Sequence, residues 1–254
     1  PRSELMSPRF LHRSNDRELP SDYRGDVLFW DIDQTYLDTR FSSLQGLLRI
    51  PLEIALDKAA IPGAAPLLRA LRRGPGAKSA LVPLYFVSGS PHQLRSVVER
   101  KMLLDGVEHD GITFKDQLGL LVSGKYRYIY EQIGYKLRAL LLYRREMPVR
   151  CRHLLFGDDT EADADAFALF GEVCAGLRGD ALEARLPDEV EGWERREIHA
   201  LAEDLVIEPE DPVDGIFIHL ARKSDPSRFE HPRVYPTRSY LQTALLLAAR
   251  EKIA

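Results

Sequence analysis

Two aspartates spaced two apart, Asp31 and Asp33, close a short apolar run at 27–30, and Thr35 follows two further on. Ending a buried segment on acids costs desolvation unless a cation or a reaction needs them there. Two further apolar runs end in the same manner. Residues 84–87 lead into Ser88-Gly89-Ser90-Pro91, and residues 153–156 lead into Gly157-Asp158-Asp159. Carboxylates brought together from separate segments repel one another. A hard divalent cation answers that repulsion, because Mg²⁺ takes oxygen ligands and is held by one or two carboxylates, waters and a substrate phosphate. Phosphoryl transfer gives each part a role. One aspartate can attack phosphorus. A second carboxyl can protonate the leaving oxygen and later deprotonate water. A hydroxyl with neighbouring N–H groups can hold the phosphoryl oxygens, and a lysine can offset the charge that builds up.

Chemistry of this kind needs the three runs to end on one edge of one sheet. Short apolar runs bounded by polar residues suit buried strands of a parallel sheet, and ligands of open α/β sheets bind just past the carboxyl ends of the strands. The pattern predicts strands at 26–31, 84–87, 112–114, 153–156 and 215–219. Helices are expected at 41–60, 64–73, 92–104, 128–145, 162–170 and 238–252. Alternation of this kind predicts a three-layer α/β/α fold with a mainly parallel, doubly wound sheet. Residues 1–25, polar and rich in arginine, read as a lead-in. Residues 26–254 read as one catalytic domain, with 41–62 as a small helical insert after the first of these strands. The acidic stretch 180–213 reads as an insert or edge element with a solvated face.

In order along the chain, Asp31-Ile32-Asp33-Gln34-Thr35, Val87-Ser88-Gly89-Ser90, a lysine, and Gly157-Asp158-Asp159-Thr160-Glu161-Ala162-Asp163 resemble the four motifs of the haloacid dehalogenase superfamily of phosphatases. Phe86 to Leu94, residues 157–163 and Pro62-Gly63-Ala64 are similar, more narrowly, to the actin-patch phosphatidate phosphatase family and its bacterial relatives. The resemblance implies Asp31 as nucleophile and Asp33 as general acid/base. It implies Ser88 as phosphate-binding, with Thr35, Gly89, Ser90 and His92 near the substrate. Mg²⁺ would be held by Asp31, the backbone carbonyl of Asp33 and Asp158, with Asp159 or Asp163 completing or orienting the shell. The superfamily places its lysine on the helix leading into the 153–156 strand, which selects Lys136. Lys125 is the second choice and Lys115 a third candidate. Gln34 stands where the narrower family has an acid, and Asp159 where it has Ser. The implied activity is a Mg²⁺-dependent phosphomonoester hydrolase acting through an aspartyl-phosphate on Asp31. The alternative is a phosphatase-like scaffold that binds Mg²⁺ or a phosphate ligand without turnover.

Simpler roles compete at several positions. Ser88-Gly89-Ser90-Pro91 also fits a helix N-cap followed by proline, and a helix N-terminus is itself an anion site. His92 also fits an ordinary helix start, and Asp165 an acid favouring one. Residues 119–126 nearly spell a P-loop, but Tyr126 cannot replace the small hydroxyl that binds Mg²⁺. The basic stretch Arg144 to Arg152 reads as a solvated strand approach. A net charge of −4 over 254 residues argues against a general nucleic-acid partner. Two cysteines make no disulfide framework, which favours a reducing compartment. With no run long enough for a transmembrane helix and no apolar leader, a cytoplasmic protein is expected, and the net charge makes peripheral membrane contact the less favoured alternative. The short insert predicts an open cleft suited to a bulky ester, a lipid such as phosphatidate or a phosphoprotein.

Overall fold

The computed structural model describes residues 11–38, 60–115, 125–207 and 210–254, with backbone alone at 125–131. Seven strands form one sheet: β1 (Leu11–Asn15), β2 (Asp26–Asp31), β3 (Leu84–Pro91), β4 (Gly111–Lys115), β5 (Arg152–Asp158), β6 (Val213–His219) and β7 (Val234–Thr237). Their order across the sheet is β1-β4-β3-β2-β5-β6-β7. All neighbouring pairs are parallel except β1, which runs antiparallel to β4. The chain builds outward from β2 through β3 to β4, then returns to the other side of β2 with β5. The sheet therefore has its topological switch point between β2 and β5, where an open α/β sheet offers a crevice.

The inner strands are apolar throughout because helices cover both faces. Alternate residues point to opposite layers. Val27, Phe29, Tyr85, Val87 and Leu155 join one core, and Leu28, Trp30, Leu84, Phe86 and Phe156 the other. The first core is closed by α3 (Lys125–Arg145), α4 (Asp163–Cys174), α5 (Gly179–Glu183) and α6 (Gly192–Asp204). The second is closed by α1 (Ala64–Arg73), α2 (Arg95–Leu104) and α7 (Tyr240–Ala249). In the second core one register row carries an aromatic on four successive strands. Trp30 stacks on Phe156 at 4.1 Å between centroids, Phe156 on Phe217 at 5.1 Å, and Phe217 on Tyr235 at 5.3 Å.

The expected three-layer fold is present; the strand predicted at 26–31 is found with those limits, and the other four predicted strands are each longer than expected. The expected helix at 41–60 lies outside the described residues. Residues 11–15 are a correction: this part of the lead-in is an edge strand, and its short polar sequence carries no apolar run to reveal it. β7 holds Pro236, tolerated at a sheet edge. The acidic stretch keeps most of its acids exposed, as expected; the second correction is Glu194 alone, which is buried. The stretch folds into α5 and α6, and Leu182, Ile198, Leu201 and Ala202 are buried. Glu194 and Glu197 bind the buried Arg138 guanidinium of α3 at 3.1 and 2.6 Å, and Trp193 lies under it at 4.6 Å. Arg144 is a third correction. It is buried and shapes the approach to β5 through the carbonyl of Pro148 and the sulfur of Cys151, each at 3.2 Å.

Candidate active site

Asp31 is the last residue of β2, and Asp158 the last of β5. Trp30 pairs in register with Phe156, so both aspartates leave adjacent strands on the same edge of the sheet. Past Asp31 the chain turns back at once. The amides of Tyr36 and Leu37 both donate to the carbonyl of Ile32 at 2.9 Å, and Gln34 takes a left-handed conformation, φ 59°. The turn presents Asp33 to β3. One Asp33 carboxylate oxygen accepts from the hydroxyls of Ser88 at 3.1 Å and Ser90 at 2.6 Å. The Ser88 hydroxyl in turn accepts from the Ser90 amide at 3.0 Å, so β3 ends in a turn closed by its own side chains.

Lys136 enters from α3 and is buried. Its Nζ donates to Asp31 Oδ1 at 3.0 Å, to Glu161 Oε2 at 2.6 Å and to Asp163 Oδ1. Of the two candidate lysines whose side chains are described, Lys136 is thus the one placed against the acids. Lys115 instead lies 5.9 Å from the centroid of the Tyr135 ring. Lys125 opens α3, and its side chain is not among the described groups. Asp163 opens α4 and also accepts from the Asp158 amide at 3.1 Å. That approach is possible because residue 157 is glycine; a Cβ there would run into the Asp163 carboxylate.

Three expectations for site residues are corrected. Asp159 faces away from the acids, accepting from the amides of Arg222 at 2.8 Å and Ser224 at 3.1 Å, so it anchors the loop after β6 rather than a metal shell. Thr35 is fully buried with both polar groups committed. Its hydroxyl donates to Asp158 Oδ2 at 3.3 Å, and its carbonyl accepts from Tyr240 at 2.5 Å. Its hydroxyl is thus engaged with Asp158. His92 stacks on His12 of β1, with centroids 5.1 Å apart and planes 12° off parallel, which places it toward the β1 side.

Glu161 is the group that sequence reading passed over, as one acid among several at a helix start. Asp31, Glu161 and Asp163 each offer an oxygen within 4.8 Å of the others. Gln132 and Tyr135, on the same helix as Lys136, were also missed. Gln132 donates to Glu161 Oε1 at 3.0 Å, and Tyr135 donates to the Ser88 carbonyl at 2.6 Å. The spacing of Gln132 and Lys136, one helical turn apart on one face, was the available signal.

The electrostatics of the cluster fit a cation. Burial raises the Asp31 pKa well above the usual carboxylate range, Lys136 opposes it, and Asp163, Glu161 and Asp158 add to it. Burial likewise raises Asp158 and Glu161, reinforced in each by neighbouring acids. Burial works against the Lys136 charge, but Asp163, Asp31, Glu161 and Asp158 together outweigh it and hold the ammonium well above its ordinary pKa. One ammonium thus faces several acids, and the buried Asp31 Oδ2 has no hydrogen-bond partner among the described residues. A bare buried carboxylate oxygen beside two further carboxylates is the donor set that a hard divalent cation takes.

No protein-family model matches this chain, and no curated protein matches it. Among solved structures, a Mesorhizobium loti chain described as a "putative had-like phosphatase" is similar to it. The two share 14% sequence identity over 97% of this chain and 95% of that one, with a TM-score of 0.49. What defines this protein is the site itself: a three-layer α/β/α fold that gathers buried acids and one lysine at the switch point of its sheet.

Proposed function

We propose that this chain is a Mg²⁺-dependent phosphomonoester hydrolase that works through an aspartyl-phosphate on Asp31. The observation that carries the reading is the state of the Asp31 carboxylate. It is buried at the end of the central strand, with one oxygen on Lys136 and the other bare. Asp33 lies two residues on, held by the hydroxyls of Ser88 and Ser90.

Asp31, Glu161 and Asp163 would hold the cation, with Asp158 beside them. Bound there, Mg²⁺ would neutralise the crowded carboxylates and keep Asp31 ionised at neutral pH. Asp31 attacks phosphorus, forming the Oδ–P bond as the bond from phosphorus to the leaving oxygen breaks. Asp33 gives that oxygen a proton. In the second half Asp33 takes a proton from water, whose oxygen attacks phosphorus. The Oδ–P bond breaks, releasing inorganic phosphate and the free Asp31 carboxylate. Lys136 offsets the charge on the transferring group, and the Ser88–Ser90 turn holds its oxygens. The bridge between Leu37 and Ala60 closes the base of the intervening segment. A segment that short favours a bulky ester, phosphatidate among them, over one that needs a large cap.

The test is hydrolysis of an aryl phosphate with Mg²⁺, with and without chelator. Turnover is expected in Mg²⁺ only, and Asp31→Asn is expected to abolish it while the fold survives. Full activity of Asp31→Asn in a clean preparation overturns the proposal. Phosphatidate vesicles compared with sugar phosphates and phosphopeptides identify the ester class.

A further inference from the structure

We propose that Gln132 is a positioning residue that couples the Ser88–Ser90 turn to the acidic cluster, so that an anion held by the turn and a cation held by the acids bind cooperatively. The proposal rests on the phosphatase reading in taking the turn as the anion site.

The orientation of the Gln132 amide is fixed by chemistry. Glu161 Oε1 can only accept, so the amide nitrogen must face it, and it does at 3.0 Å. The amide oxygen then points the other way. It is buried and has no hydrogen-bond partner among the described residues, an arrangement that ordinarily costs stability. It lies against Gly89, where a Cβ would collide with both ends of the Gln132 amide. Gln132 therefore fills the gap between the Ser88–Ser90 end of β3 and the loop after β5. Glycine at 89 is what lets it in.

The contacts continue from there. Glu161 passes its second oxygen to Lys136 at 2.6 Å, and Lys136 reaches Asp31 at 3.0 Å. Tyr135, the neighbour of Lys136 on α3, holds the Ser88 carbonyl at 2.6 Å. A shift of the turn is thereby passed to Glu161 through an amide packed on both. Pushed by a phosphoryl group, the turn moves Gln132, and Gln132 moves one member of the trio of acids.

Titration calorimetry of Mg²⁺ into the whole chain, alone and with saturating inorganic phosphate, tests this with no turnover needed. In the wild type, phosphate is expected to tighten Mg²⁺ about tenfold, a coupling of ordinary size. Gln132→Ala is expected to remove that tightening while Mg²⁺ still binds alone. Gly89→Ala is expected to lower kcat/KM about 100-fold, as a misplaced group does. Gly89→Ala with Gln132→Ala is expected to recover part of that loss, since the collision is gone, and non-additivity is the mark of direct contact. A Gln132→Ala protein that keeps the full phosphate effect overturns the proposal, as does strict additivity of the two substitutions in thermal unfolding. Absence of Mg²⁺ binding in the wild type overturns the phosphatase reading and the cooperativity together, whereas Mg²⁺ binding without a phosphate effect overturns the cooperativity alone.

Discussion

Lys136 is a buried cation whose charge is matched by buried acids on three sides. Replacing it with methionine keeps most of the volume and strands those acids. Breaking a buried ion pair from one side costs about 3–5 kcal/mol, so Lys136→Met is expected to lose about that much stability in urea unfolding without Mg²⁺. It should also lose phosphatase turnover. At this scale the sequence was informative where a residue ended an apolar run. Asp31, Asp33, Ser88 and Asp158 were all visible in that way. It was uninformative where a side chain reaches the site from a helix or a loop. Glu161 lies in a run of acids that serves a helix start equally well. Gln132 has no composition or spacing to mark it until Lys136 is placed. Asp159 misled because its neighbour is a site residue, while its own carboxylate is drawn to amides of the loop after β6.

Elements hold these groups in register, and β3 and β4 are tied by Asp110. Its carboxylate accepts from Arg72 at 2.6 and 3.1 Å and from the Leu84 amide at 2.9 Å. Burial alone would raise its pKa, but the bonds from Arg72 and Leu84 outweigh burial and lower it. A carboxyl depressed on folding stabilises at pH above its unfolded pKa, about 3.9, because there the unfolded chain is the state that binds more protons as acid is added. That contribution is lost as the pH falls from about 4 toward the depressed native value. Asp110→Asn is therefore expected to cost about 3 kcal/mol at neutral pH, and the variant should show a weaker loss of stability than the wild type as the pH falls below about 4. Gly157 gives a second test at this scale. Gly157→Ala displaces Asp163, and turnover is expected to fall about 100-fold, with far-ultraviolet dichroism unchanged. The buried parallel strands were legible because helices on both faces demand continuous apolar runs. β1 and β7 were not, because an edge strand needs neither length nor hydrophobicity.

The molecule as a whole places its acids at the switch point of the sheet, and so makes the native state dependent on whatever neutralises them. Mg²⁺ that binds the folded chain alone should stabilise it by about 2.7 kcal/mol at 100 times its dissociation constant. Thermal unfolding with Mg²⁺ and with chelator checks this. An unchanged melting temperature would show that Lys136 already suffices. The doubly wound class was readable from the alternation of elements, whereas the order of strands became known only from their pairing.

The grip of α6 on Arg138 sets a further constraint on this architecture. Arg138 lies two positions beyond Lys136 on the same rod of backbone, turned toward α6 instead of the acids. Whatever loosens α6, such as a partner prying at Trp193, would let that rod roll and carry the lysine off its acids. The surface most tolerant of change in appearance is thus wired to the chemistry by a lever.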